Sequence, residues 1–216
     1  MEGNQLGLKI KTDIKDYPHF NIIDDKSTKG SSKQINFSQF NVFIEFKQAC
    51  INQDFNPNFD YYDDYYLLKF CQARKFDLQK IIKMFKNFLE WRKENEVDDI
   101  ENFYFPEFDG VFKAYPHGYH KVDKKGHPIY YQLISKLNAD KLFKVTTSEK
   151  LLKYFIQTYE NMMKYKFKAC SKAKGELIDE SGVILDLEGI GISHLLGKTR
   201  SFLTLATQLG QDYLSM

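Results

Sequence analysis

Apolar residues recur every three or four positions through residues 37–91, which is the spacing of helices with one buried face. One helix begins near Phe37, a second occupies residues 61–73, and Asp77 is placed to cap a third, strongly amphipathic one. Lysines take the other faces of the third helix and indicate a solvated surface. The pattern therefore predicts an all-helical subdomain over residues 37–105.

The first 36 residues have no such pattern, and residues 24–33 contain no apolar side chain. A segment of this composition buries too little surface to offset the entropy that is lost on ordering. Residues 1–36 are therefore interpreted as a disordered or loose leader. The sequence has neither an apolar stretch of signal-peptide length at its start nor the run of about 20 apolar residues that a membrane-spanning helix needs.

Strand patterns appear in the second half of the chain. Residues 123–126 have the composition of a turn, and two short strands flank it at residues 119–122 and 129–134. A Thr-Thr-Ser-Glu capping box at residues 146–149 then opens a long helix, for which Gly175 is a natural stop. This order predicts a hairpin that leads into a sheet, followed by a crossover helix.

A continuous apolar run over residues 182–187 predicts a further strand that is covered on both faces, and Ser193 is placed to cap a last helix. Two strands that a long helix connects are expected to be parallel neighbours through a right-handed crossover. Helices followed by alternating strands and helices belong to the α/β class. We therefore expect an all-helical N-terminal subdomain, and then an α/β lobe with a mainly parallel sheet over residues 106–216.

Composition narrows the classes of function. The formal net charge is only +2, whereas a nucleic-acid-binding face needs clustered basic charge and a high pI, so no nucleic-acid partner is expected. The same balance is compatible with contact to an anionic membrane surface. Cys50, Cys71 and Cys170 are odd in number and form no C-x-x-C pair, so neither a disulfide framework nor a zinc site is expected, and a reducing cytosol fits.

Residue patterns for catalysis or metal binding are weak. Asp63 and Asp64 fall at the start of a predicted helix, where the helix dipole favours anions, and this role is preferred to an acid–base pair. His117, His120 and His127 straddle a turn without a matching carboxylate or cysteine cluster, so exposed histidines are expected there and not a metal site. No nucleophile is paired with an oriented base. The sequence therefore predicts neither an enzyme nor a metalloprotein.

Four motifs, in order along the chain, resemble those of the CRAL-TRIO (Sec-fourteen-like) lipid-binding family. Residues 67–77 read LLKFCQARKFD, with a Trp-Arg pair at 91–92, and residues 115–130 read YPHGYHKVDKKGHPIY. Residues 169–175 read ACSKAKG, which is similar to the phosphatidylinositol/phosphatidylcholine transfer branch, and residues 184–190 read ILDLEGI. On these motifs the chain is identified as a member of the family from residue 61 to about residue 213.

The resemblance implies both a fold and a function. In the family, a small helical domain precedes an α/β lobe whose sheet floors a deep apolar pocket, and a mobile gate helix closes that pocket around one phospholipid. The implied activity is non-catalytic binding and transfer of phosphatidylinositol and a second lipid such as phosphatidylcholine, linked to vesicle trafficking and phosphoinositide signalling. No cofactor besides the bound phospholipid is implied. The implied setting is cytoplasmic, with transient contact to Golgi or endosomal membranes, and the full-length protein is expected to be a monomer.

Six residues of this chain match lipid contacts of the family. A tyrosine offers an apolar body with one hydrogen-bonding tip, or a ring face for a quaternary ammonium, and a guanidinium can grip a phosphate with two donors. For Arg74 a structural ion pair with a nearby carboxylate is the alternative. The matched residues are Tyr119, Tyr130, Tyr159 and Ser181 around a choline lipid, and Arg74 with Lys75 near an inositol phosphate.

Two kinds of departure from the family pattern leave two hypotheses open. Val183 stands where the transfer branch has a threonine and Gly210 where it has a serine, which weakens binding of a choline headgroup. The family also continues with Tyr-Pro-Glu-Arg where this chain has residues 214–216. The later strands, the gate helix and the remaining inositol-phosphate residues are therefore expected to be missing. The chain is either a lipid-transfer protein or a truncated regulatory or interaction protein that has lost transfer.

A lobe of this kind is expected to leave apolar surface uncovered. The strand at residues 182–187 needs cover on both faces and neighbours on both edges, and an unpaired apolar edge promotes aggregation. The inward faces of Phe155, Tyr159, Phe202 and Leu203 are also expected to lack an opposing wall. We therefore expect residues 1–216 alone neither to transfer lipid nor to form a well-closed domain.

Overall fold

A computed structural model describes residues 10–22, 34–52, 55, 61–190, 197, 199–200 and 202. Contacts divide the chain into a first unit that ends at Trp91 and a second unit that begins at Arg92, and each is described by itself. The predicted cap at Ser193 and the positions of Leu203 and Gly210 lie outside the described residues.

Three helices form most of the first unit, as the apolar spacing predicted. Asn36 caps the first helix, since its Oδ1 accepts from the backbone N–H of Gln39 at 2.8 Å. Two aspartates cap the others: a side-chain oxygen of Asp63 accepts from the backbone N–H of Tyr66 at 2.9 Å, and one of Asp77 accepts from that of Lys80 at 3.2 Å. The helices are α1 (Phe37–Asn52), α2 (Asp64–Ala73) and α3 (Leu78–Glu94), whose last residues lie in the second unit.

Aromatic rings from the three helices pack together in the core of the first unit. Phe46, Phe70 and Phe85 are fully buried, and the centroid of the Phe85 ring lies 4.9 Å from that of Phe70 and 5.3 Å from that of Phe46. Both pairs are edge-to-face, a geometry that adds about 0.5–1.5 kcal/mol per pair beyond area burial. Much of the aromatic surplus in the sequence is therefore structural.

The interpretation of the N-terminal segment as a loose leader is wrong for residues 10–22. Tyr17 and Phe20 are buried, and the Tyr17 ring lies edge-to-face with Phe40 and Phe43 of α1, at centroid distances of 5.4 and 6.0 Å. A short parallel pairing joins β1 (Asn21–Ile22) to β2 (Gln34–Ile35), and Ile35 is fully buried. Two aromatic anchors are enough to fix a segment whose average composition is polar.

The second unit is an α/β layer, as predicted. Besides the end of α3, its described elements include three strands, four α-helices, two 3₁₀ turns and one π turn. The strands are β3 (His117–Val122), β4 (Pro128–Leu133) and β5 (Gly182–Asp186), and the helices are α4 (Phe108–Ala114), α5 (Ala139–Val145), α6 (Ser148–Asn161) and α7 (Phe167–Lys174).

The sheet of the second unit is mixed, so the prediction of a mainly parallel sheet is wrong. Its order is β3-β4-β5, with β3 antiparallel to β4 and β4 parallel to β5. Only a short turn connects β3 to β4, and such a connection closes an antiparallel hairpin, whereas parallel neighbours need a long crossover. Strands β4 and β5 are parallel neighbours, as predicted, and the chain that connects them contains α5, α6 and α7.

Strand β5 is not covered on both faces, contrary to the prediction from its apolar run. Val183, Ile184 and Leu185 are 57%, 47% and 52% exposed, although successive side chains of a strand point to opposite faces. In the described part of the sheet β5 is an edge strand. By contrast, Phe202 is buried and Phe155 packs against the same cluster, so for these two residues the expected lack of an opposing wall is wrong.

The long helix predicted from the capping box is interrupted by one π-helical turn. Thr147 caps α6 by accepting from the backbone N–H of Lys150 at 3.3 Å, and residues Met162–Lys166 form the π turn that leads into α7. Gly175 ends α7 with a left-handed φ of +77°, as its position predicted. Single π turns are frequent at functional sites, and this one contributes Met162 and Lys166 to the site described below.

A buried ion pair that the sequence did not predict lies inside the second unit. Both terminal nitrogens of the Arg92 guanidinium donate to the Glu160 carboxylate, with distances of 2.8 Å from Nη1 to Oε1 and 3.3 Å from Nη2 to Oε2. The Arg92 side chain is 4% exposed and that of Glu160 is fully buried. Nη2 also contacts Asp98, which is 84% exposed. The pair holds α6 to the end of α3.

Candidate functional site

Tyr119 and Tyr130 form a cross-strand pair in the middle of the β3–β4 hairpin. They lie directly opposite one another, and their ring centroids are 4.8 Å apart. Tyr130 is buried, and burial raises the pKa of its hydroxyl well above the ordinary value. Two tyrosines that the sequence singled out are therefore neighbours on one face of the sheet.

Two other predicted hydroxyl residues of the second unit, Ser181 and Tyr159, lie near Tyr119. Burial raises the pKa of the Tyr119 hydroxyl to about 12, although a hydrogen bond with the Ser181 side chain lowers it. Tyr159 packs with Tyr119 against a small apolar cluster around Met162, and burial raises the pKa of Tyr159 too. The fold thus brings Tyr119, Tyr130, Tyr159 and Ser181 together around one tyrosine.

The Tyr119 hydroxyl proton points to a poor acceptor. It is donated to the Sδ atom of Met162, in the π turn, and a thioether sulfur is only a weak hydrogen-bond acceptor. The Nζ atom of Lys166, four residues later, lies 5.3 Å from the centroid of the Tyr119 ring. A donor hydroxyl and a cation therefore lie side by side at the end of α6.

A cavity of about 660 Å³ opens beside Tyr119. Four consecutive residues of β3 line it, and because strand side chains alternate between faces, the cavity must follow the outer edge of the strand. Stacked rings from α4, at a centroid distance of 5.9 Å, form one wall, and residues of α6 and the π turn form another. The lining residues are Phe108, Phe112, Pro116, His117, Gly118, Tyr119, His120, Tyr131, Leu133, Tyr154, Thr158, Asn161 and Lys166.

His117 is the site residue that sequence reasoning misplaced. It was expected to be exposed, but it is 4% exposed, and its ring stacks on Tyr115 at a centroid distance of 4.4 Å. Its Nδ1 atom lies 2.7 Å from the carbonyl oxygen of Tyr115, and burial lowers the pKa of the imidazole. The apolar residues around the Tyr-Pro dipeptide at 115–116 were the available signal for a buried strand start.

Arg74 and Lys75 lie in the first unit, at the end of α2. Arg74 Nη1 donates to the carbonyl oxygen of Ala73 at 3.0 Å, and no carboxylate of the described residues pairs with its guanidinium. Lys75 is exposed and, like Phe76, has a left-handed φ (+50° and +60°). A left-handed backbone conformation at a residue other than glycine is unfavourable by about 1–3 kcal/mol. The roles of all six matched residues in binding lipid stay predictions.

The described part of the chain offers little for a metal site or a membrane-spanning helix. It contains no group of three or more histidine, cysteine, aspartate or glutamate side chains that could hold a metal ion. Among its helices, none combines the length and the apolar character that crossing a bilayer requires. His127, one of the three histidines of the hairpin, is paired with Asp123 at 2.9 Å.

Comparison with known families places the chain in a class of proteins. The family model of the CRAL/TRIO N-terminal domain matches residues 43–87, and that of the CRAL/TRIO domain matches residues 112–215. Together these matches cover about two thirds of the chain. The chain therefore belongs to the CRAL/TRIO family, as its motifs predicted.

Individual relatives are longer than this chain. It is 39% identical to the phosphatidylinositol/phosphatidylcholine transfer protein SFH9 of Arabidopsis thaliana over 171 residues, which are 78% of this chain and 28% of that protein. Identity is 42% over 152 residues with the SEC14 cytosolic factor of Eremothecium gossypii (70% and 49%) and 35% over 201 residues with that of Kluyveromyces lactis (93% and 65%). The chain thus spans 28% to 65% of the length of these relatives.

Proposed function

We propose that this protein binds one phospholipid and transfers or presents it without catalysing a reaction. Relatives are named as phosphatidylinositol/phosphatidylcholine transfer proteins, and the chain spans only part of their length. For this protein the proposed ligands are phosphatidylinositol and a second lipid such as phosphatidylcholine. The proposed setting is a cytoplasmic monomer that contacts Golgi or endosomal membranes transiently, with a role in vesicle trafficking and phosphoinositide signalling.

The observation that carries the proposal is the environment of the Tyr119 hydroxyl. It is a partly buried donor beside a cavity, it donates to a thioether, and a lysine cation lies next to the same ring. A phosphate or ester oxygen accepts a hydrogen bond far better than sulfur does, and charge-assisted bonds are the stronger ones. A lipid headgroup oxygen therefore suits this position.

The walls of the cavity suit the apolar part of such a ligand. Phe108 and Phe112 present stacked rings to it and are 42% and 45% exposed, and Leu133 and Tyr154 add further apolar surface. Burial of an acyl chain against such walls is worth about 0.8 kcal/mol per methylene. A mostly apolar cavity with a few convergent polar groups is the usual form of a small-molecule site.

Native mass spectrometry of the full-length protein tests this function. We expect protein purified from cells to retain a phospholipid at about one per chain. The Tyr119→Phe variant is expected to lower the loaded fraction about tenfold at limiting lipid, because one hydrogen bond to a charged group contributes on the order of 1.5 kcal/mol.

Tyr165→Phe is the matched control, since Tyr165 is exposed and its hydroxyl bonds to Glu101 outside the cavity. Its loading is expected to equal that of the wild type. Full-length protein that is consistently free of lipid, under conditions that preserve lipid complexes of related proteins, would contradict the proposal.

Arg74 is proposed to grip the phosphate of phosphatidylinositol. Arg74→Ala is expected to weaken phosphatidylinositol loading by roughly 10- to 100-fold, because a charge-assisted hydrogen bond contributes on the order of 1.5–3 kcal/mol. Loading of phosphatidylcholine is expected to change less than twofold, since the family resemblance assigns its headgroup to Tyr119, Tyr130, Tyr159 and Ser181 and not to Arg74. Competition between the two lipids, read by mass spectrometry of the loaded protein, measures both effects.

The control for this substitution is Lys83→Ala, which removes one exposed cation from α3. An equal loss of both lipids in Arg74→Ala, together with a lower melting temperature, would mean that Arg74 has a structural role.

A second candidate function is that of a regulatory or interaction protein. The half-exposed apolar side chains of β5 favour it, because apolar surface of this kind is typical of a protein–protein interface. The same native spectra separate the candidates: lipid-free protein in complex with a protein partner favours the second, and loaded protein favours the first.

A further inference from the structure

One residue of the cavity lining, His117, carries a buried polar atom to which the proposed phospholipid site assigns no role. Nε2 of His117 is buried and has no hydrogen-bond partner within the part of the chain that the structure describes. The residue is more than nine-tenths buried and belongs to the lining of the 660 Å³ cavity. Leaving a buried polar atom unpaired is unfavourable, so such an atom in a cavity wall indicates a ligand group.

The hydrogen bond at Nδ1 determines whether Nε2 is a donor or an acceptor. Nδ1 lies 2.7 Å from the carbonyl oxygen of Tyr115, and a carbonyl only accepts, so Nδ1 carries the proton. The imidazole is neutral near pH 7, because burial lowers its pKa. Nε2 is therefore a hydrogen-bond acceptor and not a donor.

The imidazole ring is also held in place. It stacks on Tyr115 at a centroid distance of 4.4 Å, and the rings of Tyr154 and Phe155 each lie 5.6 Å away at steep angles. A ring fixed on three sides and bonded at Nδ1 cannot turn freely to find another donor. The acceptor is thus preorganised, which lowers the entropic cost of binding a matching group.

We propose that His117 selects lipids whose headgroup carries an N–H or O–H donor over choline lipids, which carry none. This inference rests on the proposed function and specifies the ligand of the same cavity. The Lys166 ammonium and the Tyr119 hydroxyl on the same lining suit the lipid phosphate, and His117 accepts from the group beyond it.

Two lipids that differ in a single methyl group test the proposal. Dioleoyl phosphatidyl-N,N-dimethylethanolamine keeps one N–H on its ammonium, whereas dioleoyl phosphatidylcholine has a methyl group in its place. Full-length protein is incubated with vesicles that contain both lipids in equal amounts, and the loaded species are counted by native mass spectrometry. We expect the wild type to prefer the dimethyl lipid about tenfold, because choline leaves the buried acceptor unpaired.

Variants of His117 assign that preference to the imidazole. His117→Phe keeps a planar ring without an acceptor and is expected to bring the ratio to about one, and His117→Leu serves if the phenylalanine variant does not fold. His117→Gln can still donate to Tyr115 and accept from the ligand, so it is expected to retain most of the preference. His127→Phe makes the same exchange outside the cavity and is expected to behave as the wild type.

The possible results distinguish an error in the role of His117 from an error in the proposed lipid-binding function. Equal loading of both lipids by the wild type would overturn the role of His117 and would mean that a water molecule satisfies Nε2. An unchanged preference in His117→Phe and His117→Leu would place the selectivity elsewhere. Wild-type protein that loads neither lipid would overturn the proposed function, and this inference with it.

Discussion

Replacing Arg92 with methionine is expected to lower the free energy of unfolding by about 3–5 kcal/mol, because it removes the guanidinium that is paired with the buried Glu160 carboxylate. Glu160 is fully buried, and both of its oxygens contact the Arg92 guanidinium. A loss of this size is a large part of the stability of an ordinary domain. Urea denaturation of the full-length protein, followed by circular dichroism, measures it.

Two further variants separate the buried pair from its exposed neighbour. Asp98→Asn removes only the exposed partner of Arg92 and is expected to cost less than about 1 kcal/mol, as solvent-exposed ion pairs do. The double variant Arg92→Met/Glu160→Leu removes both buried charges and is expected to recover most of the loss, since apolar groups of similar volume often replace a buried pair without cost. A double variant no more stable than Arg92→Met would instead mean that the pair itself is essential.

Sequence reasoning could predict the helices and the order of strands because their signals are local. The spacing of Phe40 and Phe43 marks the buried face of α1, and the capping residues Asp63, Asp77 and Thr147 act within four residues of themselves. The parallel pairing of β4 with β5 followed from the length of the connection alone. These signals were sufficient to predict the α/β class and the division into a helical part and an α/β part.

What the sequence could not predict depends on partners far away along the chain. Arg92 and Glu160 are 68 residues apart, and each by itself looks like a charge on a solvated helix face. Tyr17 and Phe20 are two aromatic residues in a polar segment, and α1 and α2 give them a place to pack. The same holds for the candidate site, where the motifs named Tyr119 but not the orphaned acceptor of His117.

The exposed apolar side chains of β5 are expected to cause association between copies of the chain. We expect a polypeptide of residues 1–216 to bind a hydrophobic dye strongly, to self-associate and to unfold with low cooperativity. Val183, Ile184, Leu185 and Leu187 are each about half exposed, so both faces of this strand at the edge of the described sheet present apolar side chains. Dye fluorescence, analytical ultracentrifugation and thermal denaturation measure the three properties.

Adding one charge to this strand distinguishes its role from that of general surface apolarity. Leu185→Lys is expected to reduce dye fluorescence by at least half and to shift the protein towards the monomer, because an exposed lysine on an edge strand opposes strand-to-strand pairing. Val122→Lys adds the same charge to the end of β3, at a residue that is also 52% exposed, and is expected to leave both measurements near the wild-type values. If the unmodified polypeptide were a monodisperse monomer with weak dye binding and one sharp unfolding transition, the exposed face of β5 would have no role in association. The half-exposed side chains would then be ordinary surface residues, and the proposed lipid site would need no further cover on that side of the sheet.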